Sequence, residues 1–190
     1  MMRAGLTRER LIAAGAELAD AVAFEQVTLS ALARQFGVQV ASLYSHLENS
    51  EALRVGIALV ALDRLADRAA EAVAGRSGRD ALVALGNAHR DFAHAHPGLF
   101  TAARMDLPPE LAARSGGVRV AQMTRAMLRG YDLPEAEEVH AVRLLGSVFL
   151  GFATLERSGS FGHSGPDPGL SWQQGLSALD AMLRHWPTAS

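Results

Sequence analysis

One short stretch of the chain, FGVQVASLYSHL, holds several side chains that can form hydrogen bonds without a full charge at neutral pH, among them Gln39, Ser42, Tyr44 and His46. Small polar groups at the exposed start of a short helix can bond to base edges in the DNA major groove, where Val40 can contact a thymine methyl group. Tyr44 and His46 lie further along and can donate to phosphate oxygens, which set the register. The pattern predicts sequence reading on double-stranded DNA.

Two short helices are predicted to position these groups. Thr28 can cap a helix over residues 29–36, whose apolar residues share one face. Gly37 ends that helix, because glycine tolerates the left-handed conformation found at helix ends. A third helix over about residues 40–46 follows almost at once, with its leucine side chains pointing inward. Two short helices joined in this way form a helix-turn-helix, whose second helix enters the major groove.

Helical periodicity dominates the rest of the chain, and no pair of segments resembles paired strands. We expect about nine helices, near residues 8–22, 29–36, 40–46, 51–74, 77–96, 99–105, 111–129, 135–157 and 170–183. Thr7 and Ser50 are the expected caps of the first and fourth, and Pro97 and Gly98 are expected to end the fifth. The predicted fold is all-α, with a three-helix helix-turn-helix DNA-binding domain over residues 1–50. A larger helical domain for ligand binding and dimerisation is predicted over residues 51–190.

Composition excludes several classes of protein. The 190 residues are 49 % hydrophobic and 20 % charged, as in a folded globular protein. Without cysteine the chain has no disulfide, thiolate metal site or cysteine nucleophile. The opening MMRAGLTRER lacks the apolar stretch of a signal peptide, and no uninterrupted apolar run reaches the length of a membrane span. We therefore expect a cytoplasmic protein that does not enter a membrane.

The spacing of the histidines, serines and acidic residues is not typical of a catalytic site or a metal site. His94 and His96 are two residues apart and face different sides of a helix, unlike a zinc pair. The serine and histidine of GHSG, around His163, lack the strand-turn-helix context of a nucleophile elbow. No convergent acid, base and nucleophile are found elsewhere. We expect no enzyme activity, no metal site and no cofactor.

The net charge of the chain does not by itself indicate a nucleic-acid-binding protein. The formal net charge is -2 and the isoelectric point is near 6.4. All basic residues are arginine, and up to Leu47 the arginines and acidic residues balance. Any DNA affinity must therefore come from where the cations are placed.

The segment GVQVASLYSHLENSEAL resembles the signature of the TetR family of bacterial transcriptional repressors, roughly GVSxGxLYxHFxSKExL. The matching residues are Gly37, Val38, Leu43, Tyr44, His46, Glu51 and Leu53. The preceding TLSALARQFGV is similar to the family's T...IA..AGV. The resemblance implies DNA binding, and the expected contacts are Thr28, Gln39, Val40, Ser42, Tyr44 and His46.

Several positions depart from that signature, and three of them bear on DNA contacts or packing. Ser50 stands where the family usually has a lysine that contacts a phosphate. Gln39 replaces the common serine and Leu47 the common phenylalanine. The loss of one phosphate contact predicts weaker DNA binding and a salt slope lower by about one unit.

The C-terminal segments AHRDFAHAHPGLF and LLGSVFLGFATLERSGSFG resemble one recurrent C-terminal type of the same family. Ser147, Gly151, Phe152, Leu155, Glu156, Phe161 and Gly162 match its pattern. Gly146 and Leu150 stand where tryptophan and histidine are usual, so the ligand contacts that tryptophan and histidine would make are not expected here.

A set of apolar helical residues can either fill the core or line a cavity for a small molecule. Apolar cavities between helices are common ligand sites, and methionine suits adaptable walls. The candidate ligand-binding residues are Phe92, Phe100, Arg104, Met105, Met123, Met127, Phe149 and Phe152. Arg104, Asn87 and Gln122 are the candidates for polar contacts to that ligand.

The last two long helices have more apolar surface than a monomer needs. VHAVRLLGSVFLGFATL is apolar almost all round, which a helix on a monomer's surface does not tolerate. A two-fold interface of two helices from each subunit would bury it, and the family resemblance implies the same. The expected homodimer contacts are Val139, Val142, Leu145, Gly146, Phe149, Leu150, Leu176, Leu179 and Leu183. A partner protein on this face is the alternative.

The predicted function is that of a ligand-responsive transcriptional regulator. A homodimer would repress by binding a palindromic double-stranded DNA operator, and an unidentified small-molecule effector would release it. The alternative is a helical protein-interaction module that has lost DNA binding.

Overall fold

The structure is a computed structural model that describes residues 6–187. Over that range the chain forms nine α-helices and three short 3₁₀ helices, with no strand. The prediction of an all-α fold is confirmed. The α-helices are α1 (Arg8–Val22), α2 (Leu29–Phe36), α3 (Ser50–Val73), α4 (Gly78–Ala95), α5 (Pro97–Ala102), α6 (Pro109–Ala112), α7 (Gly116–Leu128), α8 (Glu135–Arg157) and α9 (Pro168–Arg184).

The first two helices begin at the predicted caps. The Thr7 hydroxyl oxygen accepts a hydrogen bond from the Arg10 N–H at 3.2 Å. The Thr28 hydroxyl oxygen accepts one from the Ala31 N–H at 3.1 Å. Each bond satisfies a backbone donor in the first turn that has no partner inside the helix.

Two predicted boundaries are wrong. Helix α4 ends at Ala95, before Pro97, as predicted, but Pro97 also begins α5, which was expected to start at residue 99. Proline is favoured at the first helical position because that position needs no N–H donor. The helix expected over residues 111–129 is divided into α6 and α7. At the start of α7 the backbone of Gly116 lies against α3, and an added Cβ would be 2.3 Å from the Leu62 carbonyl oxygen.

The chain divides into two compact units. The first unit contains the described residues up to Arg64 together with His96–Gly116, and the second contains Leu65–Ala95 and the described residues from Gly117 onward. Each unit is therefore assembled from two separate stretches of sequence, and α3 contributes to both. The predicted division at residue 50, into a DNA-binding and a ligand-binding domain, is a division by function and stays a prediction.

The first unit is built around α1. Helices α2 and α5 pack against it, and Gly15 of α1 and Gly56 of α3 allow a close crossing with Ile57 and Ile12. The side chains buried in this unit come from all of these helices and from the segment after α2. They include Leu11, Phe24, Leu32, Leu43, Leu47, Leu53, Leu99 and Phe100.

The second unit has α4 packed between α8 and α9. Its core is aromatic on one side: the ring of Trp172 lies 5.9 Å from that of Phe149 and 4.9 Å from that of Phe152. The Trp172 Nε1–H donates to the Asn87 Oδ1 at 2.7 Å, so the indole is both buried and hydrogen-bonded. Gly86 leaves the room that these rings need, since an added Cβ would lie 2.8 Å from Leu176.

An ion pair joins α4 to α8 in the second unit. Arg90 donates from Nε and Nη2 to the two carboxylate oxygens of Glu156, at 2.8 and 2.6 Å. His94 Nε2 lies 2.8 Å from one of those oxygens. The Arg90 hydrogen bonds hold the pKa of Glu156 below its ordinary 4.5, although burial works in the opposite direction.

We expect Glu156→Gln to reduce the free energy of unfolding at pH 7 by about 1–2 kcal/mol, because two charge-assisted hydrogen bonds are weakened. The pKa of Glu156 is lower in the folded chain, so its stabilising effect is present above pH 4.5 and declines as the pH falls through the folded pKa. Urea unfolding of both proteins from pH 7 to acid should show the difference shrinking. Glu71→Gln, at an exposed position of α3, is the matched control and should change little. A difference that stays constant with pH would contradict this account.

Candidate nucleic-acid interface

The turn after α2 is made by glycine in the left-handed conformation. Gly37 has φ 65° and ψ 35°, and its N–H donates to the Arg34 carbonyl at 3.2 Å. The next N–H, that of Val38, donates to the Ala33 carbonyl at 3.0 Å. These bonds close α2 and turn the chain, as expected from the sequence. A residue with a Cβ would be strained here by its backbone conformation, not by crowding, because the surrounding space is open.

The segment that follows, where a third helix was predicted over about residues 40–46, forms a short 3₁₀ helix. The structure has a 3₁₀ helix at Val40–Leu43 followed by a turn. Its hydrogen bonds span three residues, with Ser42 N–H to Gln39 O at 3.0 Å and His46 N–H to Leu43 O at 2.9 Å. The Ser45 hydroxyl donates to the Ser42 carbonyl at 2.8 Å and competes with α-helical bonding. Short segments rich in valine and serine favour this tighter form.

The inward and outward sides of this segment are as predicted. Leu43 and Leu47 are buried, and the segment packs against α2. On the outer side Gln39 and Ser42 are exposed, and 55 % of the Tyr44 side chain is accessible. Leucine anchors therefore present a row of polar groups to the outside.

Two of the remaining three predicted DNA contacts are less exposed to solvent. Val40 and His46 are half-buried. Thr28 is exposed at the start of α2, where its oxygen already accepts the capping bond, although its hydroxyl hydrogen can still be donated.

The cap of α3 is not the predicted one. Asn49 accepts the Ala52 N–H on its Oδ1 at 2.8 Å, and Ser50 is the first residue of the helix. Asparagine is as good a cap as serine, so sequence alone does not decide between two adjacent candidates. Ser50 is left exposed, with its side chain uninvolved in capping. A longer side chain at position 50 would therefore extend into solvent.

Arginines in this unit lie over aromatic rings. The Arg54 guanidinium is 4.5 Å from the ring centroid of Phe24, and that of Arg10 is 6.0 Å from that of Phe36. Near them, the backbone N–H of Glu9 and the Thr7 hydroxyl lower the pKa of the Glu9 carboxyl, with smaller effects from Arg8 and His46. The sequence argument counted these arginines only as net charge. Their positions on α1 and α3 make them further candidates for phosphate contacts.

Comparison with known proteins assigns the chain to a family. A family model described as a tetracycline repressor-like C-terminal domain matches residues 82–179, more than half of the chain. An HTH-type transcriptional regulator of Bacillus subtilis (strain 168), YobS, is 32 % identical over 153 residues, which are 80 % of each chain. This chain belongs to the TetR family. It is a DNA-binding transcriptional regulator, as the sequence predicted.

Two solved structures of TetR-type regulators share its fold. A single-residue variant of TetR from Acinetobacter baumannii AYE, in complex with minocycline, superposes with a TM-score of 0.72 at 19 % identity, covering 97 % of this chain and 100 % of that one. BioQ with its natural double-stranded DNA operator superposes with a TM-score of 0.70 at 22 % identity, covering 95 % and 99 %. The shared fold spans both compact units of this TetR protein.

The TetR signature residues fall into two groups in this structure. Gly37, Leu43 and Leu53 make the turn or fill the core of the first unit. Tyr44 is exposed and contributes little to that core. The signature therefore includes residues that form the fold and a residue on the exposed surface of that fold.

The predicted ligand-binding residues are divided between the two units. Phe100, Arg104 and Met105 belong to the first, where the Arg104 guanidinium lies 4.7 Å from the Phe100 ring centroid. Met127 and Phe149 are buried in the core of the second unit, with Met123 and Phe152 packed against it. Phe92 is also buried there. Plain core packing, the alternative interpretation, describes most of this set in the structure.

The open cavities of the second unit are lined mainly by other residues. Two surface grooves of about 650 and 590 Å³ run along the two sides of α4, and Asn87 lines both. A third pocket, of about 100 Å³, is lined by Phe152 and Phe161 together with the loop before α9. Of the apolar residues predicted for the ligand, Phe152 lines this small pocket.

A buried histidine lies beside the same core. The Nδ1 atom of His89 is 2.8 Å from the Leu85 carbonyl oxygen, and its ring lies 5.3 Å from that of Phe149. Burial lowers the pKa of His89 below its ordinary 6.5, so the ring is neutral at pH 7 and Nδ1 carries the donated hydrogen. The sequence pattern favours an ordinary surface or core histidine at this position over a metal ligand, and the structure places His89 in the core.

The predicted dimer residues separate into a buried and an accessible group. Leu145, Phe149, Leu176, Leu179 and Leu183 are inside the core of the second unit, where they contact their own chain. Val139 is exposed, while Val142, Gly146 and Leu150 are half-buried. Only the second group is accessible to another molecule, because helix α8 uses its other face for the core of its own chain.

The α8 helix is also long and apolar enough, by length and composition, to cross a membrane, which the search for uninterrupted apolar runs did not reveal. Only 22 % of the apolar window is buried within the chain. Its other face packs in a core, and many core helices of globular proteins meet the same test. Helix α8 therefore leaves much of its apolar window outside the core of its own chain, next to the exposed polar residues Arg143 and Ser147.

We expect Ser50→Lys to tighten DNA binding and to steepen the dependence of log affinity on log salt by about 0.9, the effect of one added phosphate contact. Ser50 is exposed at the first position of α3, where a lysine replaces no existing contact. Ala74→Lys, at an exposed position just past the other end of the same helix, adds the same charge and is the control. Equal slopes for the two variants would show that the start of α3 does not face the DNA.

Proposed function

We propose that this TetR regulator is a homodimeric repressor that binds a palindromic operator and leaves it when a small molecule binds. The observation that carries the proposal is the outer face of the segment after Gly37. There Gln39, Ser42 and Tyr44 are exposed, while Leu43 and Leu47 anchor the segment to the core. This arrangement suits insertion into a major groove, where the approach must be close and the side chains must be polar.

Individual roles follow from exposure and chemistry. Gln39 and Ser42 are open and can bond to base edges, whereas Val40, being half-buried, contributes at most a methyl contact. The Tyr44 hydroxyl is suited to donate to a phosphate, as are His46 and the Thr28 hydroxyl. The operator-bound neighbour BioQ supports a duplex as the partner.

A second copy of the chain is the proposed partner for the outer side of α8. Val139 and Leu155 are large apolar residues exposed there. An added Cβ at Gly146 or Gly151 would meet nothing within 4 Å, so another helix could approach closely at both positions. We call residues 39–46, which would contact the bases and phosphates, the reading segment. Two copies related by a two-fold axis would cover this surface of α8 and would space two reading segments along the DNA. Such a regulator would act where the chromosome lies, in the cytoplasm.

The effector is proposed to bind in the second unit. That unit contains five of the side chains predicted for a small apolar or amphipathic ligand, with the neutral His89 beside Phe149. The five are Phe92, Met123, Met127, Phe149 and Phe152. The minocycline complex of the neighbouring TetR variant supports a small molecule as the effector class. Release would require a differential affinity for the two conformations worth a few kcal/mol.

The first experiment is selection of duplexes from a random library by the purified protein. Wild-type protein is expected to enrich a palindrome with half-sites spaced by a whole number of helical turns. Tyr44→Ala should lose that enrichment. A wild-type protein that enriches no sequence at low salt would contradict the proposal and favour a protein-interaction module.

We expect Tyr44→Phe to weaken binding to the selected duplex by about three- to tenfold, because one hydrogen bond to a charged phosphate is removed. The fold should be unchanged, since the side chain is exposed. Fluorescence anisotropy with labelled duplex measures the affinity, and circular dichroism serves as the folding control. An unchanged affinity would remove the Tyr44 hydroxyl from the contacts.

We expect Gly151→Leu to split the dimer or weaken it strongly, because a leucine fills the space through which the partner's helix would approach. Light scattering over a range of concentrations measures the change. Ala126→Leu, at an exposed position of α7, adds bulk elsewhere in the second unit and should leave the dimer intact. A full dimer in both variants would place the interface elsewhere.

A further inference from the structure

A carboxylate on α1 holds the start of α5. One oxygen of Asp20, Oδ1, accepts the backbone N–H groups of Gly98 and Leu99 at 2.9 and 3.0 Å. The other oxygen, Oδ2, lies 2.8 Å from Nδ1 of His96. A negative charge thus meets the N-terminal amides of one helix and an imidazole. All of these residues belong to the first unit. We call this set of contacts the α1–α5 clamp.

The two backbones also touch directly at the clamp. An added Cβ at Gly98 would lie 1.9 Å from the Ala19 carbonyl oxygen and 2.8 Å from the Asp20 backbone nitrogen. No side chain can be accommodated at that distance without separating the helices. The clamp therefore fixes both the spacing of α1 and α5, through Gly98, and their direction, through the Asp20 hydrogen bonds.

Helix α1 is also the helix on which the reading segment depends. It packs against α2, and α2 packs against the 3₁₀ helix that carries Gln39 and Ser42. A change in the orientation of α1 is therefore passed to the reading segment by side-chain packing. The core alone leaves that orientation less well defined than the clamp does, because apolar contacts are not directional.

We propose that Asp20 is a positioning residue for sequence-specific DNA binding. Through the α1–α5 clamp it holds α1, and with it the reading segment, in the orientation that fits the operator. The inference rests on the proposed function. Asp20 itself touches no base or phosphate in this scheme; it acts through α1. Its negative charge would, on its own, oppose DNA binding.

Removing the negative charge should favour DNA binding, whereas weakening the clamp should disfavour it, so substitutions can distinguish the two effects. Asp20→Asn keeps one oxygen for the two N–H groups of α5 but removes the negative charge that strengthens those bonds and the contact with His96, so the clamp is weakened. Glu17→Gln removes the same charge from an exposed position of α1 and is the matched control. If charge alone mattered, both variants would bind DNA as well as wild type or more tightly.

The measurement compares the affinity for the selected duplex with that for an unrelated duplex of the same length and in the same salt. Asp20→Asn is expected to lose about tenfold on the selected duplex while its affinity for the unrelated duplex stays within about twofold. Glu17→Gln should lose neither. A merely destabilised protein would show a smaller active fraction on both duplexes, so a selective loss identifies positioning.

Substitutions at His96 give a second, independent pair. His96→Asn places a donor near the position of Nδ1 and should retain selectivity, whereas His96→Ala should lose part of it. Amide exchange over residues 96–102 should be faster in Asp20→Asn and His96→Ala than in the two other variants.

The possible outcomes distinguish a failure of the clamp inference from a failure of the proposed function. If wild-type protein prefers the selected duplex and Asp20→Asn behaves like Glu17→Gln, the clamp inference is overturned and the proposed function stands. Equal losses on both duplexes would also overturn it, because they indicate instability. If wild-type protein prefers no duplex at all, both the proposed function and the inference are overturned.

Discussion

The close approach of α1 and α5 is the constraint on which the first unit depends. At Gly98 the two backbones are so near that a single Cβ could not be added, and the Asp20 carboxylate bonds across the same contact. Helix α1 also packs against α2, and α2 packs against the 3₁₀ helix after Gly37, so this contact lies at one end of a series of packed helices that leads to Gln39 and Ser42. A surface for reading DNA must be rigid to within a fraction of a hydrogen-bond length, and directional bonds supply that rigidity better than apolar packing does.

The second unit is stabilised by different interactions, chiefly an aromatic core and an ion pair between helices. Its core is aromatic, and the two surface grooves along α4 are lined partly by charged side chains. The bidentate bonds between Arg90 and Glu156 join α4 to α8 near the end of both helices. The outer side of α8, by contrast, combines exposed Val139 and Leu155 with exposed polar residues such as Arg143. One helix thus has one face packed in the core of its own chain and another that we propose contacts a second copy.

Much of the fold could be predicted because its signals are local. Thr7, Thr28 and Gly37 are caps or stops whose chemistry acts within four residues, and all three are found in those roles. The failures are also local, where two neighbouring residues could serve equally well. Asn49 rather than Ser50 caps α3, and Pro97 begins α5, which was expected to start at residue 99. A short helix was predicted after Gly37 and one is present there. It is too short for periodicity to distinguish an α-helix from a 3₁₀ helix.

The sequence by itself determined the helical class, the turn at Gly37 and the polar face that follows it, since each depends on the conformational preferences of a few adjacent residues. It could not determine which apolar side chains face inward on α8 and α9. When a helix is apolar almost all round, periodicity defines no unique inner face, and Leu145 and Phe149 were grouped with Val139 for that reason. Nor could it join Asp20 to His96 across a long stretch of sequence. Only the tertiary structure decided these points, because burial and hydrogen bonding between distant segments depend on how the helices pack.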